Sequence, residues 1–178
     1  MTRNRTSPAP FGLDLAPLDP EAFAPFGEVV QMPAGGGRPI NRGTAIAVAD
    51  AVALDLVRAG GRPSLQLLRA RPVALPARLG PLERHLLSSQ TFLPLGEARF
   101  AVVVAPADAA GPGDLRAFLT DGQQGVHYAA GTWHHPLIAL GRISDFVVIG
   151  RAADAEDCEF LDLPGAVLLT RTSLMPEA

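Results

Sequence analysis

Leu82-Glu83-Arg84-His85-Leu86-Leu87-Ser88-Ser89-Gln90 is the stretch on which the reading of this chain turns. If Leu82 to His85 is extended, Glu83 and His85 lie two apart and project from one face, and Arg84 projects from the other. A carboxylate beside an imidazole on one strand face is a pair of metal ligands or an acid/base pair. The plainer alternative is a surface Glu–His hydrogen bond. A second stretch, Gly131-Thr132-Trp133-His134-His135-Pro136, carries two more imidazoles. Adjacent residues of an extended chain face opposite sides, so only one of His134 and His135 enters a barrel. Pro136 forces the residue before it to be extended and removes a ladder donor, so this strand lies at an edge or ends there. Gly131 marks the turn before it.

Working outward, short apolar segments alternate with turn residues. Glu28–Gln31, Thr44–Val48, Ser64–Arg71, Phe100–Ala105, Leu115–Thr120 and Phe146–Ile149 read as strands. The 17 prolines and 18 glycines interrupt the chain too often for long helices. One short helix is signalled near the start: Asp19 as N-cap, Pro20 at the first helical position, Glu21 in the first turn and Gly27 as the stop. Phe23 and Phe26 would pack one face of it. Asp121-Gly122 reads as a hairpin turn. Asp50–Ala59 fits a helix or an apolar linker equally well, and the AGGGRP run from Ala34 reads as a mobile loop. Many short strands with turns between them make an all-β sandwich or barrel. The division expected is a flexible N-terminus over 1–12, one domain over 13–170 and a C-terminal tail over 171–178.

Composition narrows the function. The net charge of −3 and the absence of a basic run argue against nucleic acid. All 15 basic residues are arginine, which excludes Schiff-base chemistry and a lysine base. Cys158 is the only cysteine, so neither an intrachain disulfide nor a cysteine-only metal cage can form. The N-terminus lacks the apolar core of a secretory signal, and no apolar run approaches a membrane span. The expectation is a soluble, cytoplasmic protein with no membrane or nucleic-acid partner.

The two stretches together, Glu83-x-His85-x4-Gln90-x5-Gly96 and Gly131-x-x-His134, resemble the metal-site motifs of cupin barrels. Glu stands where the first His is usual, and Gln where the Glu is usual. A finer resemblance, over most of the chain, is to the ureidoglycolate lyase family of cupin-like enzymes in allantoin catabolism. It is carried by Leu18-Asp19-Pro20-Glu21-Ala22-Phe23, Ile40-Asn41-x-Gly43, Leu82-Glu83-Arg84-His85, Gln90-Thr91-Phe92-Leu93-Pro94, Leu115-Arg116-Ala117-Phe118, Gly122-x-Gln124-Gly125-Val126, Trp133-His134-His135-Pro136-Leu137 and Asp145-Phe146. The resemblance implies a double-sheet cupin-like barrel, cleavage of (S)-ureidoglycolate to glyoxylate and urea, and a homodimer. The segment Thr44 to Asp50 departs from the family's polar pattern, as do Leu95 and Gly96, which implies altered substrate contacts there.

On this reading His134 is the leading base or metal ligand, with His85 its partner and Glu83 orienting an imidazole. Gln90 is placed on the substrate's hydroxyl or urea group. If a divalent metal such as nickel, zinc or manganese binds, Glu83, His85, Gln90 and His134 are its ligands. Arg84, Arg116, Trp133 and His135 are the further substrate-binding candidates, although Trp133 reads as readily as packing and His135 as a supporting or interface group. Arg69, Arg71, Arg84 and Arg116 all qualify as the cation for the substrate carboxylate. A non-catalytic module that binds a small carboxylate, or an amidohydrolase or isomerase on the same barrel, are the competing functions.

Overall fold

Phe100–Ala105 explains the architecture. In the computed structural model, which describes residues 9–109, 111–154 and 156–171, this strand is buried along its whole length. A run that is apolar at every position has no solvent face and must be covered on both sides. Phe100, Val102 and Val104 pack into one apolar cluster, and Ala101, Val103 and Ala105 into another.

The strand belongs to a seven-stranded sheet. Its order is Cys158–Leu161, Leu82–His85, Trp133–His134, Phe100–Ala105, Arg116–Leu119 and Ala16–Pro17, with Ile138–Ala139 also paired to Phe100–Ala105. A five-stranded sheet faces it, in the order Gly27–Val30, Gly125–Tyr128, Gln90–Pro94, Ser144–Ala152 and Arg62–Ala70. Phe92, Val126, Phe146 and Val148 from this sheet meet Phe100, Val102, Val104 and Phe118 from the other. On the far side of the seven-stranded sheet, Leu13, Val167 and Leu169 of a three-stranded sheet close a second core over Ala101, Val103 and Trp133. The result is all-β, two large sheets packed face to face on a shared interior.

Most expected elements are present. Asp19 caps the helix Pro20–Phe23 by accepting hydrogen bonds from the Glu21 and Ala22 amides, both at 3.0 Å. Phe23, in the helix, and Phe26, in the turn after it, are both buried. The helix ends before Gly27, which opens the next strand at φ +146, with its backbone so close to strand Gly125–Tyr128 that a Cβ would stand 1.9 Å from the His127 carbonyl oxygen.

Several expectations are corrected. Asp121-Gly122 is not a hairpin turn: the strands on either side, Arg116–Leu119 and Gly125–Tyr128, belong to different sheets. Asp121 caps this crossover by accepting from the Gln123 and Gln124 amides. Asp50–Ala59 is a linker, with only the 3-10 turn Arg58–Gly60 at its end. The loop from Ala34 is cut short by a small hairpin, Arg38–Ile40 with Ala45–Ala47, which pairs with neither large sheet. The N-terminal stretch is ordered from Phe11, because Phe11–Asp14 pairs in parallel with Val167–Thr170. Residues 1–8 and 172–178, in the expected flexible N-terminus and C-terminal tail, lie outside the described residues. None of the described helices is long and apolar enough to cross a membrane.

Candidate active site

Strand alternation and register bring the first two motif residues to the third. Within Leu82–His85, Leu82 faces the outer core, so Glu83 and His85 face the interior between the sheets. His134 lies directly opposite Glu83 in the antiparallel ladder, and opposite Val104 on its other side. Directly opposed residues share a face, so all three polar groups project inward. From the facing sheet come Gln90 and Tyr128, themselves a register pair. The end of the first motif's strand and the turn that opens the second are tied together where the Gly131 amide donates to the His85 carbonyl at 2.8 Å.

His134 is 1% exposed. Its Nδ1 lies 3.0 Å from the Thr132 carbonyl oxygen, which can only accept, so Nδ1 carries a proton. Its Nε2 lies 3.1 Å from Gln90 Oε1 and 3.5 Å from Glu83 Oε1. The Tyr128 ring stacks flat against the imidazole, centroids 4.3 Å apart at 14°, and fixes its plane. His85 is held in the same way. Nδ1 lies 3.2 Å from the Asp157 carbonyl, which leaves the lone pair on Nε2, and that atom is buried without a partner among the described residues. An orphaned buried acceptor is costly and calls for a ligand. Donor atoms of Glu83, His85 and His134 all lie within 4.8 Å of one another.

The electrostatics follow from this packing. The hydrogen bond from His134 holds the Glu83 carboxyl below its usual range, against the opposing effect of burial. Burial, followed by repulsion from His134, lowers the pKa of His85 and keeps it neutral. Burial pushes the Tyr128 phenol well up, so it stays protonated. Burial likewise lowers His127 and His135. A histidine whose folded pKa lies below its unfolded value of 6.5 binds more protons when unfolded. Stability is therefore full above that pH and falls as the pH drops through it. Glu83 acts in the same direction below its ordinary value of 4.5. Thermal melts should show Tm highest at pH 7 to 8 and declining from about pH 6.5 downward; a Tm that rises on acidification would contradict these placements.

The structure brings Glu83, His85, Gln90 and His134 together and leaves the other candidates elsewhere. Arg84 and Trp133 share the opposite sheet face: the guanidinium sits 4.2 Å over the indole and pairs with Glu159 at 2.7 Å. His135 accepts from the Gly80 amide at 3.2 Å. Arg116 shares the inner face of its sheet but lies two strands beyond His134, and it donates to the Gly113 and Leu115 carbonyls. His127 is a satisfied outer-face histidine, 2.8 Å from Thr91 Oγ1.

Sequence reasoning missed four neighbours. Tyr128 stacks on His134, and its place beside His127 in an alternating strand was the available signal. The Asp157 carboxylate accepts from the Leu87 amide and the Ser88 hydroxyl, clamping the loop after His85. Cys158 and Phe160 oppose His85 and Glu83 in register, with the Cys158 thiol 3.9 Å from Glu83 Oε2. Phe160 is 66% exposed and stands on the edge strand beside Glu83.

Two facing sheets that bring a carboxylate and two imidazoles within 4.8 Å of one another, beside an amide, make the donor set of a small-molecule acid–base or metal site. Comparison with known proteins gives the family. The ureidoglycolate lyase family model matches residues 12–169, and this chain belongs to that family. A ureidoglycolate lyase of Burkholderia mallei is 45% identical over 163 residues, covering 92% of this chain and 96% of that protein. One from Brucella melitensis is 39% identical over 164 residues, covering 90% and 97%. Among solved structures, a dTDP sugar isomerase from Desulfovibrio desulfuricans aligns at TM-score 0.43 and 18% identity, over 79% of this chain and 87% of that one. The Mycobacterium tuberculosis rmlC epimerase aligns at 0.40 and 18%, over 76% of each.

Proposed function

We propose that this protein cleaves (S)-ureidoglycolate to glyoxylate and urea, as a cytoplasmic enzyme of allantoin and purine degradation. Membership of the family supports this reading, and the observation that carries it is the pair of oriented imidazole Nε2 atoms beside Glu83. Ureidoglycolate bears a hydroxyl, a carboxylate and a ureido nitrogen on one carbon. Its collapse needs one proton removed from the hydroxyl and one delivered to the departing nitrogen; the C–N bond breaks as the C=O forms. His85, kept neutral with an unpartnered Nε2, is suited to take the hydroxyl proton. His134, whose protonated form faces the Glu83 carboxylate at 3.5 Å, is suited to give its proton to the departing nitrogen. Gln90 can donate to and accept from the ureido group.

A second reading is favoured by the convergence of the same donors within 4.8 Å. Glu83, His85 and His134, with the Gln90 amide oxygen beside them, fit a divalent ion such as nickel, zinc or manganese. Such an ion would polarise the hydroxyl and carboxylate oxygens as a Lewis acid. Ligation and proton transfer by one imidazole exclude each other. Under the acid–base reading, prolonged chelation leaves turnover intact; loss on chelation with recovery on adding back one of these ions favours the metal.

A homodimer is part of the proposal. Leu65 and Leu67 project from the outer face of the edge strand Arg62–Ala70, 65% and 74% exposed, and Val147 and Ile149 extend the apolar face behind them. A second copy related by a two-fold axis is the occupant that matches a self-complementary apolar face. Sedimentation equilibrium should give twice the chain mass, and Leu67→Glu should shift it to the monomer. A wild-type monomer at micromolar concentration would remove this part.

A further inference from the structure

The substrate is an anion, and its reacting carbon must sit beside the Glu83 carboxylate, so a cation has to face it across the cleft. Among the arginines that sequence reasoning offered, Arg84 is turned outward and paired, and Arg116 is bound to its own loop. Arg69 faces outward in a two-bond pair with Asp145. Arg71 follows the far end of the same strand, where Val73 donates to Ala139.

The register of the five-stranded sheet points to another residue. Tyr128 opposes Gln90, and Ser64 opposes Gly150. Thr91 opposes Ile149, which sets Gly150 beside Gln90; a Cβ on Gly150 would meet only the Gln90 Cγ, at 4.0 Å. Tyr128, Gln90, Gly150 and Ser64 therefore form one inward row with open space where the Gly150 side chain is missing. Arg62 lies two residues beyond Ser64, opposite Ala152, on the same inward face. It is exposed and has no ion pair among the described residues. Two strand spacings and two residues along the strand, roughly 12 Å in all, separate its backbone from that of Gln90. A long guanidinium side chain and a small acid can span that gap together.

We infer that Arg62 is the substrate-binding residue that holds the carboxylate of ureidoglycolate, over the gap left by Gly150. The inference rests on the lyase reading above. Its test combines steady-state kinetics with calorimetric binding of glyoxylate and of urea. In Arg62→Ala, KM for ureidoglycolate and the Kd for glyoxylate should both rise about 30-fold, the loss expected for one charge-assisted carboxylate contact. Urea inhibition should stay unchanged, because urea carries no carboxylate. Arg62→Lys should recover part of the loss, and Arg38→Ala, which removes the same charge from the hairpin that pairs with neither large sheet, should change neither value. Unchanged KM and glyoxylate affinity in a folded Arg62→Ala protein would overturn the assignment, and so would an equal loss of urea inhibition. If the wild type releases no glyoxylate, the lyase reading fails on its own. Glyoxylate binding then still decides: weakened binding in Arg62→Ala supports an Arg62 carboxylate site, and unchanged binding overturns it.

Discussion

Replacing His134 with alanine is expected to lower kcat for glyoxylate release by about 10³-fold, the middle of the range for removing a positioned acid or base. The effect should be large because no described neighbour is free for the role: His85 already serves the hydroxyl proton. Gln90 does not titrate, Glu83 is held ionised, and the Tyr128 phenol stays protonated. The barrel should survive. His134 sits in a two-residue strand, and the ladder around it is carried by backbone groups and by Val104 and Leu82. Far-ultraviolet circular dichroism should therefore be unchanged, with a Tm lowered by a few degrees for the cavity and for the oxygens left without a partner. A folded His134→Ala protein with near-native turnover would remove this residue from the chemistry under either reading, acid–base or metal.

The largest stability effect is expected at Phe146. Its ring is 0% exposed and meets Phe100 edge-to-face, with centroids 5.3 Å apart at 84°. These two residues join the facing sheets at the end of the interior remote from the site. Phe146→Ala should cost about 3–5 kcal/mol, the transfer free energy of the ring plus the cavity it leaves. At about 2–4 °C per kcal/mol for a domain of this size, Tm should fall by roughly 6–20 °C. A shift below about 3 °C in a differential scanning experiment would mean that the sheets do not depend on this contact.

What could be read from the sequence was what depends on local alternation. Glu83, Arg84 and His85 divide between two faces as any extended triplet must. His134 faces in and His135 does not, for the same reason, and Pro136 ends the strand there. Phe100–Ala105 is apolar at every position and proved to be covered on both sides. The helix cap at Asp19 is a short-range hydrogen-bond pattern and was equally plain.

What escaped depends on pairing between distant segments. Cys158 and Phe160 reach the site only because Cys158–Leu161 joins the edge of the sheet beside Leu82–His85, and nothing near residue 158 announces that partner. Asp121-Gly122 has the residues of a hairpin turn, yet the chain uses it to cross between sheets; local turn chemistry does not specify which strands pair afterwards. Arg84 and Arg116 drew attention because they adjoin the motifs in sequence. Arg62 did not, since its nearness to Gln90 runs through two rungs of a ladder. The departure over Thr44 to Asp50 falls in and just beyond the hairpin that pairs with neither large sheet, so strand pairing does not bring it to the four converging residues.

Incubating the purified chain with (S)-ureidoglycolate, while assaying glyoxylate, urea and ammonia in the same sample, decides whether this protein splits the C–N bond of ureidoglycolate. Glyoxylate and urea formed one to one, well above the spontaneous rate and without ammonia, is the expected result. Either no acceleration, or ammonia as the nitrogen product, would contradict it.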